Sequence, residues 1–347
     1  MIDVINNRKI PFWISGAFFV VSVALLLFVG LKPGMDFTGG SLIEVTFAEH
    51  RPTITEVQDA LQSIDLGNVV VQPTNEMGMI LKTRFVSEEE HQQILENLQK
   101  AFEVVGNDVP TEEQLTQEGY SGVVLTNKEG EEQTLVKDKD GNFISPEDLV
   151  TKNKITEERV ETIGPAISSH LRTRAVKAVI IVMVVIILYV AYAFRRVSKP
   201  VSSWKYGMTA IIALIHDVVI TMGVFVILGK YFDVEVDIPF IVALLTILGY
   251  SVNDTIVVFD RIRENLIRFG SNKFIENINK GINQTFVRSI NTSLTTLVVL
   301  VALFLFGGDS IHYFSLALII GILLGTYSSI FLASPLLVVW QNWSQKR

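Results

Sequence analysis

The sequence predicts an α-helical polytopic membrane protein with six transmembrane helices and one α+β domain placed outside the membrane between the first two. Three observations carry this. Of its 347 residues 49% are apolar and only 19% are charged, with a mean hydropathy of +0.40; an average soluble domain carries about a quarter charged residues. Six stretches are long and apolar enough to cross a hydrocarbon core, which takes about 20 residues. Charge is segregated as well: residues 32–171 hold 11 Lys and Arg against 26 Asp and Glu, a local balance of −15 inside an overall −7, so the remainder is basic at +8. A nucleic-acid partner is not expected for so acidic a domain. The absence of Cys excludes disulfides, Cys-ligated zinc, iron–sulfur sites and thiol catalysis.

Residues 10–31 form 22 uncharged positions between Lys9 and Lys32. This run exceeds the 7–15 residues of a cleaved signal peptide and lacks a small-x-small site before Lys32, so residues 1–31 read as a cytoplasmic N-terminus and a retained anchor helix. The remaining five helices fall in 172–347, at about 175–195, 206–229, 238–260, 289–308 and 313–340. Lys and Arg in short loops set the orientation. Arg8 and Lys9, then Arg195, Arg196, Lys199 and Lys205, then six cations from Arg261 to Arg288, and finally Lys346 and Arg347 all fall on one side, against Lys230 alone on the other. Both termini are therefore expected in the cytoplasm and residues 32–171 outside. Arg172, Arg174 and Lys177 run against the rule, which long translocated domains tolerate.

Within 32–171, residues 41–47 alternate as a strand, and Val57, Leu61 and Ile64 share one helical stripe. Residues 68–72 and 79–85 read as strands. Ser87 with Glu90 is a capping box opening a helix to about Phe102, and 155–163 reads as a closing strand. The order β-α-β-β-α-β is that of a ferredoxin-like fold. The acidic stretch of about 107–152 reads as an inserted β ribbon, with turns at 128–130 and 139–141. Asp138, Asp140 and Asn142 lack full EF-hand spacing, so they read as a turn, and no metal site is expected.

The polar residues inside the spans are the candidates for chemistry, because a carboxylate in a helix centre costs about 2.5–3.5 kcal/mol on insertion scales. Asp254, preceded by Asn253, lies five residues before Phe259, roughly 7–9 Å inside the boundary at 1.5 Å per residue. It reads as a reversible proton carrier, or as a plain hydrogen-bonding partner of a neighbouring helix. On the fifth span Arg288, Asn291 or Thr292, and Thr295 or Thr296 make one polar stripe. Arg288 either reaches the depth of Asp254 or snorkels to the interface. Asp217, 12 residues after Lys205, is a second relay group or a structural hydrogen-bonder with His216. Asp260 and Arg261 read as boundary charges, and Gly321 with Gly325 as a GxxxG packing face. There is no P-loop, HExxH or GxSxG, so no hydrolytic site is expected. Gly39 and Gly40 precede a strand, which suits a turn into the sheet better than a phosphate cradle.

Several motifs carry a resemblance. These are Asp36-Phe37-Thr-Gly39-Gly40-Ser after the first span, Glu161-Thr-Ile-Gly164-Pro165 before the second, and Asn291-Thr-Ser-Leu-Thr-Thr296 and Gly325-Thr-Tyr-Ser-Ser-Ile330 on the last two. The longest runs from Gly249, Tyr250, Ser251, Val252, Asn253 and Asp254 through Thr-Ile-Val-Val-Phe to Asp260, Arg261 and on to Asn265. Together they resemble the SecF family over nearly the whole chain. The resemblance implies an RND-like six-helix half-bundle in the bacterial inner membrane. It further implies an obligate partner, SecD, and use of the proton motive force to assist preproteins emerging from the SecYEG channel, with SecA acting from the cytoplasm and YajC associated. Protons are the implied coupling ion, with no other cofactor, and Asp254 and Arg288 match the family's proton-conduction positions, with Thr292, Thr295, Asn253 and Asp217 as neighbouring candidates. The 107–152 insertion is larger than the family implies. A proton-coupled RND-type exporter of small molecules or lipids, and a sensor or scaffold in which Asp254 only packs, stay open beside this reading.

Overall fold

A computed structural model describes residues 3–67, 69–105, 121–126, 132–137, 143–144, 151–152, 154–194, 201–270 and 273–345. The chain forms two compact units, one made of Met1–Phe37 with Ser169–Arg347 and the other of Thr38–Ser168. The first unit opens with the apolar helix α1 (Lys9–Phe28) and a single turn, α2 (Met35–Thr38).

The second unit holds β1 (Gly40–Phe47), α3 (Ile54–Ala60), β2 (Val70–Thr74), β3 (Gly78–Thr83) and α4 (Glu88–Phe102), followed by β4 (Val104–Val105), β5 (Ser121–Thr126), β6 (Glu132–Lys137), β7 (Phe143–Ile144), β8 (Thr151–Lys152) and β9 (Ile155–Ile163). The main sheet is antiparallel in the order β2-β3-β1-β9, the ferredoxin-like plait. Period-2 alternation puts Ile43, Val45, Phe47, Met79 and Leu81 on one face, where they bury against Val57, Leu61, Ile94 and Leu98 of the two helices. In the inserted stretch β5-β6-β7 form a three-stranded antiparallel sheet, and β8 near its end pairs with β4, which lies just before it. The turns at 128–130 and 139–141, with Asp138, Asp140 and Asn142, lie outside the described residues.

Both helices of the plait start with complete capping boxes, Thr53 with Glu56 and Ser87 with Glu90. Glu90 also pairs with Arg84 at 2.5 Å. Those bonds hold its carboxyl down at about 2. Its contribution is therefore present above the unfolded carboxyl value of about 4.3 and lost as pH falls toward 2. Ser87→Ala is expected to cost ~1 kcal/mol, read as about fivefold faster hydrogen exchange in the first turn of α4.

The first unit resumes with α5 (Pro165–Ala193), α6 (Ser203–Phe232), α7 (Ile238–Phe269) and α8 (Phe274–Phe306), then α9 (Asp309–Ser328), a π-helical turn (Ser329–Ala333) and α10 (Ser334–Gln345). Among the described residues six helical stretches are long and apolar enough to cross a membrane, the last running Ile311–Trp343 through the π turn. The helices extend past the apolar runs: α5 starts at Pro165, α7 continues to Phe269, and α8 starts at Phe274. Apolar length marks the hydrocarbon crossing, whereas backbone hydrogen bonding continues until a breaker, here Gly270 with φ +74°. The single span expected at 313–340 is continuous, with its hydrogen-bond register locally widened at the π turn.

The helix contacts follow small residues. A Cβ at Gly223 of α6 would lie 2.9 Å from Ser22 Cα of α1, and one at Gly281 of α8 would lie 3.0 Å from Ile262 Cα of α7. The GxxxG face on α9 packs on α7, where Cβ atoms at Gly321 and Gly325 would fall 2.2 Å from Ile247 Cδ1 and 2.9 Å from Ser251 Cβ.

Candidate functional site

Helix α7 is the centre of the site. Its residues Phe240, Ala243, Leu244, Ile247, Leu248, Ser251, Val252 and Thr255 repeat at three- and four-residue intervals and form its buried stripe. Asp254 sits at the edge of this stripe, half-buried. One carboxylate oxygen accepts a hydrogen bond from Ser289 Oγ of α8 at 2.5 Å, and the other accepts from Ser329 Oγ in the π turn. Three helical elements thus meet at one carboxylate.

A second carboxylate lies nearby in the fold. Asp217 of α6 is fully buried. Its Oδ2 accepts from Ser251 Oγ at 2.6 Å and from Ser328 Oγ at 2.7 Å, and its Oδ1 is 2.9 Å from His216 Nδ1. The two carboxylates are linked through neighbouring residues. Ser328, a donor to Asp217, is followed directly by Ser329, a donor to Asp254, and Ser251, the other serine donor to Asp217, is one helical turn before Asp254 itself. The π turn accounts for the first pairing: it widens the helix at the point where Ser328 faces one carboxylate and Ser329 the other, and Ser334 Oγ donates to the Ser329 carbonyl at 3.0 Å. The close approach at Gly325 brings α9 within reach of Ser251. The network extends through Tyr250 OH, which donates to Ser293 Oγ at 3.2 Å, and through the bonded hydroxyls of Ser293 and Thr326.

The two carboxylates are therefore held differently. Asp217 has three partners and no exposure, whereas Asp254 has two hydroxyl partners and remains half-open. A site open on one side and lined by rotatable hydroxyls can exchange a proton. One sealed by three hydrogen bonds is better suited to fix geometry.

The stripe read on the fifth span turns outward. Arg288, Asn291, Thr292 and Thr295 are exposed, and the threonines bond back to carbonyls of their own helix. The packed face of α8 is one residue over: Gly281, Thr285, Ser289 and Ser293 at four-residue spacing. Adjacent helical positions differ by about 100°, so a one-residue offset changes the face. Small side chains take the inner position because they permit the approach to α7. Arg288 forms no ion pair among the described residues. Of the two readings open for Arg288, reaching Asp254 or turning to the interface, the exposed position agrees with the second, and the hydrogen bonds to Asp254 come from serine hydroxyls.

On α7 Gly249 and Asn253 are exposed, and a Cβ at Gly249 would meet nothing within 4 Å. Asp260 and Arg261 each bond three residues on, to Arg263 at 2.9 Å and Glu264 at 2.6 Å. At the other end of α7, Asp237 caps the helix through Phe240 N–H at 2.9 Å. Burial pushes its carboxyl up, and the Asp36 and Glu235 charges act the same way. Asp36 accepts from Ile238 N–H at 2.8 Å, and Phe37 N–H bonds Gly34 O at 3.0 Å. Gly39 and Gly40, at φ +75° and +143°, turn the chain into β1. A Cβ on Gly39 would lie 3.2 Å from Ile163 O, Gly164 lies beside Phe85, and Pro165 opens α5.

Residues 147–343 match the family described as protein export membrane protein SecD/SecF, C-terminal, and residues 24–49 match the SecD/SecF GG motif. The chain is 38% identical over 345 residues to the protein translocase subunit SecF of Thermobaculum terrenum, covering 99% of this chain and 95% of that one. It is 36% identical over 319 residues to the SecF of Synechocystis sp., covering 90% and 84%. Among solved structures it is similar to SecDF, a translocon-associated membrane protein from Thermus thermophilus, with a TM-score of 0.70 at 30% identity. That match covers 98% of this chain and 39% of the SecDF chain, so the chain spans well under half of the longer protein. The super-membrane-facing form of SecDF gives a TM-score of 0.62 at 29% identity.

Proposed function

The chain belongs to the SecF family of SecD/SecF protein-export membrane proteins, and from that premise we propose that it works with SecD to use the proton gradient for late preprotein translocation out of the SecYEG channel. The observation that supports this most is Asp254, a half-open membrane carboxylate held by hydroxyls from two other helical elements. An ionised carboxylate only accepts hydrogen bonds, whereas a protonated one also donates. When Asp254 takes up a proton, the hydroxyl of Ser289 or Ser329 must turn from donor to acceptor, and the contacts joining α7, α8 and the π turn rearrange. Asp217 stays as the fixed point between α6, α7 and α9.

Polar faces turned outward in a hydrocarbon layer call for a protein neighbour. Thr246, Gly249 and Asn253 on α7 and Arg288, Asn291, Thr292 and Thr295 on α8 are such faces, and SecD is the partner assigned to them. In this reading the membrane is the bacterial inner membrane, with both termini in the cytoplasm and the α+β unit outside, an orientation supported by the Lys and Arg distribution. SecA supplies hydrolysis from the cytoplasm, YajC associates, and this chain has no hydrolytic role of its own. Protons are the only coupling species.

Translocation into vesicles containing SecYEG, SecA and SecD tests the reading. With the chain present, an imposed proton gradient is expected to speed completion of preprotein transport. An identical gradient response without the chain would overturn it, as would gradient-driven efflux of a small molecule or lipid with no effect on preprotein.

A further inference from the structure

Helix α7 is capped twice. Asp237 supplies the local cap. The second comes from more than 200 residues earlier, where Asp36 Oδ2 accepts Ile238 N–H, one of the four N–H groups a helix start leaves without an internal partner. The stretch around Asp36 is fastened to the loop before α7 on both strands of a short parallel bridge. Gly34 N–H bonds Val236 O at 2.7 Å and Val236 N–H bonds Lys32 O at 2.8 Å. Only glycine fits at Gly34 without movement, since a Cβ would lie 3.0 Å from Val236 O. Lys32 adds ion pairs to Asp233 at 2.7 Å and Glu235 at 3.3 Å, but these are substantially exposed and contribute little. The bond from Asp36 is of a stronger kind, a carboxylate on a helix N-terminus, where charge assistance and the helix dipole act together. Four residues after Asp36 the chain enters β1, the strand bonded on both sides in the main sheet.

One short stretch is thus bonded to the start of the helix that carries Asp254 and leads covalently into the middle of the sheet. Asp254 lies 16 residues down the same helix, about 24 Å along its axis. A regular helix transmits displacement along its axis as a rigid body, so what happens at one end is felt where the other end is held.

We propose that Asp36 is a positioning residue that ties the N-terminus of α7 to the stretch leading into β1, so that movement of α7 on proton exchange at Asp254 reaches the α+β unit through it. This rests on the proton-coupled reading above. Asp36 has no part in conducting protons; its role is mechanical, and it acts through α7.

The chain contains no Cys, so two introduced thiols label it uniquely. Lys100→Cys on α4 and Tyr231→Cys at the end of α6 are exposed sites. Spin-label distances between them, measured in vesicles holding the complex with SecD, are compared with and without a proton gradient. The parent is expected to show a gradient-dependent shift. Asp36→Ala is expected to lose that shift while still assembling with SecD and conducting protons like the parent. Asp36→Asn, which keeps an acceptor oxygen for Ile238 N–H, is expected to retain it. An Asp36→Ala shift equal to the parent's would overturn the proposal, and so would loss of assembly or conduction, which would mark Asp36 as merely structural. Failure of the proton-coupled reading is seen separately, as a parent without any shift or an Asp254→Asn chain that conducts protons.

Discussion

Asp254→Asn is expected to abolish gradient-driven export while the complex with SecD still assembles. Asn has nearly the same shape, and its amide oxygen can still accept from the hydroxyl of Ser289 or Ser329, so the meeting of α7, α8 and the π turn survives. What it loses is the ability to bind and release a proton. The gradient-dependent part of transport should fall by about tenfold or more, equivalent to ~1.4 kcal/mol or more in the limiting barrier. Preprotein transport measured with and without the gradient, alongside co-purification of SecD, checks both halves. Export at the parent's level from an assembled Asp254→Asn complex would mean that the carboxylate only packs.

Enlarging the GxxxG face is expected to have the next largest effect, and on stability as well as transport. At Gly325 an added Cβ meets Ser251 at its Cβ, 2.9 Å away, and its Cα, 3.3 Å away. At Gly321 it meets the side chain of Ile247, which is fully buried and has nowhere to move. Gly325→Val must therefore push α9 off α7, and overpacking of this kind costs about 1–3 kcal/mol. The same displacement draws Ser328 away from Asp217 and Ser329 away from Asp254, so proton-coupled transport should be lost together with several degrees of thermal stability in detergent. Gly249→Val is the contrasting substitution. Its Cβ points into open space in this chain, so the melting temperature should not move, whereas association with SecD should weaken if that face is the docking surface. Equal melting temperatures for Gly325→Val and the parent would contradict the packing account.

Much of this arrangement could be read from the residues alone, for identifiable reasons. The six spans stand out because a hydrocarbon layer leaves little choice of composition. The plait stands out because its strands alternate and its helices begin at side-chain caps. Asp254 is conspicuous because a carboxylate is costly where it sits. The groups that hold it are not conspicuous. Serines such as Ser289, Ser328 and Ser329 are common in membrane helices, and nothing in their spacing says which pairs with a carboxylate. Arg288 beside Ser289 drew attention by its charge, yet a one-residue offset turned it outward and the small hydroxyl inward. A π turn has no composition of its own, so the widened register inside the continuous sixth span could not be read. The strap between residues 32–38 and 233–238 joins segments 200 residues apart, and only the folded chain brings Asp36 to Ile238.

Proton exchange at Asp254 is read as proton flux through vesicles containing only this chain and SecD, followed with a pH-sensitive dye after an imposed pH jump. Flux is expected with Asp254 and none with Asp254→Asn at equal protein density. Equal flux from the two would contradict exchange at Asp254.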